Sequence, residues 1–306
     1  MWKLTAALLL VVCRILCADP GVVIVMPLHN GEDTLAMSIQ SVRDQSYPHW
    51  DLWIIDDAST DNSVEVARRW ARLDSRIHVH SLENNVGPGQ ARNIGSMVGR
   101  RDHKYVAFLD DDDIWAPRKL ERQVGFMEET GALFSYTAYR RLSLDGMESS
   151  QALKIPARLS YHTLLTKCPI ATAAVMLNIE KIGLVDFPAA RLGEDLRYWL
   201  NLTKSGVEGL GLDEPLVYIR RGGRTISANK WRMIGVRWEI LRKVEKLSLP
   251  VAGYYFLQYA FRSLVKYRLG YKLTQMCPAE IAALEPGVRA SPFFTSDQIA
   301  SIAQAE

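Results

Sequence analysis

Four consecutive carboxylates, Asp110, Asp111, Asp112 and Asp113, follow the apolar run 105–109 in "YVAFLDDDDIW". Like charges this close repel, so the fold must solvate or neutralise them. Two of them at Asp-x-Asp spacing can converge on one hard cation through oxygen ligands. Such a Mg²⁺ or Mn²⁺ would offset charge on a bound phosphate group. A solvated acidic turn capping the helix that starts near Pro117 explains the same residues without any ligand. A second pair, Asp56 and Asp57, stands in "DDASTD". A carboxylate there can accept from a nucleobase N–H or from ribose hydroxyls. Helix capping is the plain alternative, but Ser59, Asp61 or Asn62 can already supply it. Asp56 and Asp57 are thus left without an evident structural duty. A third pair, Glu194 and Asp195, opens the helical stretch "GEDLRYW". A carboxylate there can act as general base, or merely favour the helix dipole. Arg220, Arg221 and Arg224 in "IRRGGRTIS" suit a diphosphate clamp, or a solvated surface.

The elements that carry these residues alternate. Residues 22–26, 50–55 and 105–109 read as buried strands, and 76–81, "RIHVHS", as a third, shorter strand. Between and after them lie helical patterns. "TLAMSIQSVRDQ" carries Leu35, Ile39 and Val42 on one stripe. "NSVEVARRWARL" begins with Asn62 and Glu65 at capping-box spacing. Residues 88–99 have Pro88 near the start and Gly99 near the end, and the helix after Pro117 stops at Gly131. Strand-helix alternation repeated four times predicts an open α/β sheet. In such sheets ligands bind outside the carboxyl ends of the strands. The polar clusters fall there: "HN", "DD", "NN" and "DDDD" follow strands one to four in order. Beyond residue 131 the pattern changes. It predicts a hairpin turning at Asp145-Gly146, a strand over 171–178, a helix over 193–206 with Leu196, Trp199 and Leu200 inward, and a strand entering the Arg-rich loop. Residues 231–272 read as two amphipathic helices divided near Pro250.

The chain has 306 residues, 48% hydrophobic and 23% charged, an ordinary globular composition. A net charge of only +3 argues for neither a nucleic-acid binder nor an acidic tail. Cys13, Cys17, Cys168 and Cys277 form no zinc or thioredoxin spacing, and their low density points to a reducing compartment. The six His show no zinc spacing, and G-x-S-x-G and a P-loop are absent. "GPGQARNIG" follows strand three and lacks the P-loop Lys. Residues 1–20 are an apolar extension too short to span a membrane, which takes about 20 apolar residues. A secretory signal, a membrane-surface helix and an extension that contributes little all fit it.

Four ordered segments, "VVIVMPLHNGEDTL", "SIQSVRDQSYPHWDLWIIDDASTDNS", "NNVGPGQARNIG" and "YVAFLDDDDIWAPRKLERQ", together resemble the family 2 glycosyltransferases of GT-A fold. The resemblance implies an α/β fold with a mostly parallel central sheet flanked by helices. It covers a GT-A domain over 21–225, with a nucleotide-sugar half (21–130) and an acceptor half (131–225), followed by a basic helical appendage (226–306). It implies an inverting, metal-dependent transfer from a nucleotide-sugar, UDP-linked by expectation, with Mn²⁺ or Mg²⁺ as cofactor. Pro27 and His29 match the segment beside the nucleobase, and Asp57, with Asp56 its neighbour, matches the base-binding Asp. Arg92 and Asn93 match the segment near the donor. Asp110 and Asp112 match the metal-binding Asp-x-Asp, and Asp111 its middle residue. Asp195 matches the base of the Glu-Asp pair, and 215–227 the loop that closes over the donor. His29 stands where Tyr is usual, Ala58 where Gly is common, and Asp111 where a small polar residue is common.

Residues 230–272 mix aromatic residues with ten Lys and Arg against two Glu. Such helices suit an anionic membrane surface, or simply pack on the domain with their charges solvated. The resemblance favours a glycan or lipid-linked acceptor for surface-polysaccharide synthesis. It also places the protein in the cytoplasm, with peripheral contact at the inner membrane face. Two other classes fit parts of the pattern: a non-catalytic nucleotide-sugar-binding protein and a nucleotidyltransferase. The acidic residues speak against the first. "PLHNGEDT" lacks the early Gly-rich loop with Lys or Arg that the second needs.

Overall fold

Strand β1 (Val22–Leu28) is buried along its whole length, as an all-apolar strand must be when helices cover both faces of its sheet. It pairs in parallel with β2 (Trp50–Asp56), Val22 opposite Trp50 and Leu28 opposite Asp56. β2 pairs in parallel with β3 (Ile77–Ser81). On the other side of β1, β4 (Tyr105–Phe108) is again parallel. Helices α1 (Leu35–Arg43), α2 (Ser63–Leu73) and α3 (Pro88–Gly99) make the crossovers. The order β3-β2-β1-β4 reverses direction between β1 and β4, the place where an open α/β sheet leaves a crevice. The computed structural model describes residues 19–100, 103–143, 148–183, 185–220, 230–269 and 273–275.

Beyond β4 the sheet becomes mixed. β5 (Ile114–Trp115) and α4 (Lys119–Thr130) lead to β6 (Phe134–Leu142) and the short β7 (Glu148–Ser150) and β8 (Arg158–Leu159). Then come α5 (Tyr161–Thr166), β9 (Val175–Asn178), α6 (Ile179–Ile182), α7 (Glu194–Lys204) and β10 (Gly209–Arg220). β9 lies antiparallel between β4 and β6. β10 runs parallel to β6 and antiparallel to β5, with Val217 opposite Trp115. That last pairing matters for function, because it brings the end of β10 against the acidic turn.

Several expectations are refined. β6 and β7 form the expected antiparallel pair, while Asp145 and Gly146 lie outside the described residues. The strand expected over 171–178 starts only at Val175, after a 3₁₀ turn over Thr172–Ala174. Leu196, Trp199 and Leu200 on α7 face inward as expected. The capping box at Asn62 and Glu65 does not form. Asn62 makes no side-chain cap, and its N–H donates instead to Glu32 Oε2 at 3.0 Å. Glu65 pairs with Arg69 and Arg72.

Helix α8 (Lys230–Glu239) continues into a π turn over Ile240–Val244, and α9 (Leu249–Leu269) follows, ahead of β11 (Leu273–Gln275). The division falls at residues 245–248, with Pro250 in the first turn of α9, where a missing N–H costs nothing. Ile240, Leu241 and Ala252 join the core that holds Phe187, Tyr198 and Trp199.

One core residue is unexpected. Lys119, at the start of α4, is fully buried. Its Nζ lies 3.7 Å from the centroid of the Trp115 ring and has no hydrogen-bond partner. Burial pushes this ammonium well below the ordinary Lys range. The unfolded chain therefore binds more protons in the window from that depressed value up to about 10.4, and stability rises with pH across it. Lys119→Met should remove that slope and raise stability at pH 7 by about 1–3 kcal/mol. Urea unfolding at pH 7 and pH 10 measures both; a less stable variant would contradict the expectation.

Candidate active site

The loops that leave β1 and β2 are tied into one platform. Pro27 is buried near the end of β1, opposite Ile55. Asn30 then turns through left-handed backbone, φ 56°, which Asn tolerates. Its N–H donates to Ser59 Oγ at 3.1 Å, and its Oδ1 accepts from Thr60 N–H at 2.7 Å. Gly31 N–H donates to Ser63 Oγ at 2.9 Å. Ala58 also sits at positive φ, 57°. That geometry costs an L-residue about 1–2 kcal/mol and explains why Gly suits the position.

His29 joins three loops. Its N–H donates to Asp111 Oδ2 at 3.2 Å, and its Nδ1 lies 2.9 Å from Asp57 O. Because a carbonyl only accepts, the proton belongs on Nδ1, and Nε2 then accepts from Asn30 Nδ2 at 3.3 Å. His29 remains solvent-exposed.

Asp56 and Asp57 have structural duties after all. Asp56 Oδ1 accepts from Ser59 N–H at 3.0 Å. Both carboxylate oxygens of Asp57 are occupied, by Val86 N–H at 2.6 Å and Gly87 N–H at 2.9 Å. Asp57 thereby fixes the loop that feeds α3.

The acidic turn is held from beneath by a polar stripe on α1. Ser38 Oγ donates to Asp111 O at 2.9 Å. Trp115 N–H donates to Ser41 Oγ at 3.2 Å. Gln45 Nε2 donates to Ala116 O at 2.8 Å, and Gln45 Oε1 accepts from Leu120 N–H at 2.9 Å. Ser38 and Ser41 share one face of α1 at i, i+3 spacing, and Gln45 follows just after its last turn. This stripe was readable in "SIQSVRDQ" as buried-looking polar residues, and sequence reasoning passed over it. Gln45→Met leaves the buried Leu120 N–H unpaired, while Ala116 O keeps the N–H of Lys119, so it should cost about 1–3 kcal/mol in chemical denaturation. An unchanged midpoint would show that the stripe does not hold the turn.

Within the turn the four carboxylates differ. Asp113 is buried and accepts from Arg220 N–H at 3.1 Å, a structural role. Arg220 Nε donates to Asp112 O at 3.1 Å. Arg220 is thus committed to the acidic turn; Arg221 and Arg224 lie outside the described residues. Asp111 is pushed up to about 7 by burial and then by Asp112. Asp112 is pushed up to about 6 by burial and then by Asp110. Asp110 is a third exposed, and its Oδ1 accepts from Arg92 Nη2 at 2.6 Å.

Arg92 is the connecting residue. It is buried on α3, where Gly95 lets the helix lie directly on β1; a Cβ there would overlap Val25 and Ile55. Its Nη1 reaches Glu194 Oε1 at 3.4 Å, and its guanidinium carbon lies 5.6 Å from the Phe187 ring centroid. One guanidinium therefore joins the acidic turn to the first residue of α7. Asn93 does not point at the crevice with a free amide. Its Oδ1 accepts from Phe187 N–H at 2.7 Å and its Nδ2 donates to Phe187 O at 2.9 Å. Asp195, half-buried beside Glu194, is raised by burial against the opposing pull of Leu196 N–H and Arg92. A half-buried carboxylate of raised basicity suits proton abstraction.

Residues 23–182 match the family described as Glycosyl transferase family 2. The chain is a family 2 glycosyltransferase. Two similar curated proteins extend the match. A putative teichuronic acid biosynthesis glycosyltransferase, TuaG of Bacillus subtilis, is 38% identical over 250 residues, 82% of this chain and 98% of the relative. The UDP-Glc:alpha-D-GlcNAc-diphosphoundecaprenol beta-1,3-glucosyltransferase WfgD of Escherichia coli is 30% identical over 256 residues, 83% of this chain and 98% of the relative. The crystal structure of S. aureus TarS in complex with UDP-GlcNAc aligns with TM-score 0.59 at 17% identity, covering 89% of this chain and 82% of that one. The fold of this family 2 enzyme is thereby the GT-A fold.

The acidic turn supplies hard carboxylate oxygens of the kind a divalent cation takes. Among the described residues no three His, Cys, Asp or Glu side chains surround a point in space. A glycosyltransferase of this kind needs no such cage. Mg²⁺ is commonly held by one or two carboxylates, with substrate phosphates completing the shell. The hard oxygens of Asp110 and Asp112 suit that role.

Proposed function

We propose that this glycosyltransferase moves a sugar from a UDP-sugar to a hydroxyl of a lipid-linked glycan acceptor, with inversion, in the synthesis of a surface polysaccharide. The observation that carries the reading is the Asp110–Arg92–Glu194 bridge. It ties the acidic turn that follows β4 to Glu194, the neighbour of Asp195 at the start of α7. The similarity to WfgD, named for a UDP-sugar donor and a diphosphoundecaprenol acceptor, supports the donor and acceptor classes.

The residues then act as follows. The platform of Pro27, His29 and the Asp57-fixed loop receives the nucleoside. Asp110 and Asp112 would hold a Mn²⁺ or Mg²⁺, which when bound offsets the charge of the diphosphate. Asp195 takes the proton of the acceptor hydroxyl. That oxygen bonds to the anomeric carbon from the face opposite the diphosphate. The bond from the anomeric carbon to the phosphate oxygen breaks, and the nucleoside diphosphate leaves with its electron pair. A single displacement inverts the configuration. Residues 21–130 serve the donor and 131–225 the acceptor. Sugar nucleotides place the reaction on the cytoplasmic side. Proton NMR of the product tests the stereochemistry: a β-linked product from an α-linked donor is expected, and retention would overturn the single displacement.

A further inference from the structure

Helix α9 carries an exposed apolar face that packs against none of the described core. Its packed face is Ala252, Tyr255, Phe256 and Tyr259: Ala252, Tyr255 and Phe256 lie in or against the core, and Tyr259 meets Arg237. Tyr254, Leu257 and Phe261, one helical stripe at i, i+3, i+7 on the opposite side, are 60%, 69% and 68% exposed. Leu249 at the helix start is 62% exposed. A soluble surface rarely gathers so much apolar area without a partner.

The charge around the stripe says what that partner is. Residues 230–272 hold ten Lys and Arg against two Glu, whereas the whole chain carries only +3. Lys243, Lys246 and Arg262, near either end of the stripe, are exposed. An apolar stripe bordered by cations matches a bilayer with anionic headgroups, which takes apolar side chains to a shallow depth and attracts the basic border. Among the described residues no helix is long and apolar enough to cross a membrane, so the helix would lie along the surface. It is coupled to the crevice by packing. A Cβ on Gly193, next to Glu194, would touch Val236 and Ile240 of the segment that leads into α9. Trp238 stacks edge-on against Phe256 of α9, ring centroids 5.2 Å apart.

We infer that the Tyr254–Leu257–Phe261 face of α9 docks this enzyme on an anionic phospholipid surface, with Asp195 held within reach of acceptors that project from the bilayer. The inference deepens the acceptor reading above and rests on it for the second clause alone. Sedimentation of the full chain with vesicles of phosphatidylglycerol and phosphatidylcholine, and with phosphatidylcholine alone, tests the docking. The wild type should bind the mixed vesicles and bind pure phosphatidylcholine poorly. Leu257→Asp with Phe261→Asp should weaken binding to the mixed vesicles by roughly tenfold or more, with an unchanged melting temperature. Nucleotide release with a water-soluble acceptor should be unchanged in this variant, while transfer to a vesicle-embedded acceptor falls. Equal vesicle binding by wild type and variant overturns the inference. So does a concentration-dependent dimer that the double substitution disperses, since the face would then belong to a second copy. Loss of all transferase activity in the wild type would refute the functional reading and leave the vesicle result to stand by itself.

Discussion

Asp195→Asn should lower the rate of sugar transfer by roughly 10²- to 10⁴-fold, the usual contribution of a positioned general base. Nucleotide binding should stay within about twofold, because the proposed role of Asp195 is toward the acceptor hydroxyl and not the diphosphate. The amide is isosteric, and Leu196 N–H can still donate to its oxygen, so the start of α7 keeps its geometry. Steady-state kinetics with calorimetric titration of UDP separates the two quantities. Loss of UDP binding together with turnover would place Asp195 on the donor side. Normal turnover would remove it as the base.

Arg92→Met should produce the second large effect, on stability as well as rate. The guanidinium is buried and holds Asp110 and Glu194 together. Without it, two partly desolvated carboxylates face each other, and breaking a buried ion pair from one side costs about 3–5 kcal/mol. For a protein of this size that is a fall in melting temperature of about 5–8 °C. Arg92→Lys should recover only part of the loss, because an ammonium lacks the fork that reaches two carboxylates in different directions. Thermal unfolding of both variants checks this. A Lys variant as stable as wild type would mean that charge alone, and not the two-way bridge, is what the site requires.

The parts of this molecule that could be read in the sequence are those governed by local pattern. The runs at β1 and β4 are uniformly apolar and buried because both sheet faces are covered, and β2 is apolar over Leu52–Ile55. The Asp clusters then fall at their carboxyl ends, where chain order alone predicts a crevice. The parts that could not be read are pairings between distant residues. Arg92 and Glu194 are separated by 102 positions, and nothing in their local context links them. Asp57 looked unemployed because its partners are backbone N–H groups of Val86 and Gly87, which carry no side-chain signature. Asn62 lost its expected cap to Glu32 for a similar reason: a nearby loop offered a better acceptor. The fourfold repetition of Asp also concealed a division of labour. Asp113 is buried on the backbone of Arg220, whereas Asp110 keeps a third of its side chain in solvent.

The most direct test measures the nucleotide released from UDP-glucose and UDP-GlcNAc by the full chain, with a GlcNAc-diphospho-lipid acceptor, in Mn²⁺ and in excess EDTA. Release of UDP that requires both acceptor and cation, and that Asp112→Asn reduces at unchanged folding, is the predicted result. Acceptor-dependent release that persists undiminished in EDTA and in Asp112→Asn would contradict the metal-assisted transfer at the acidic turn.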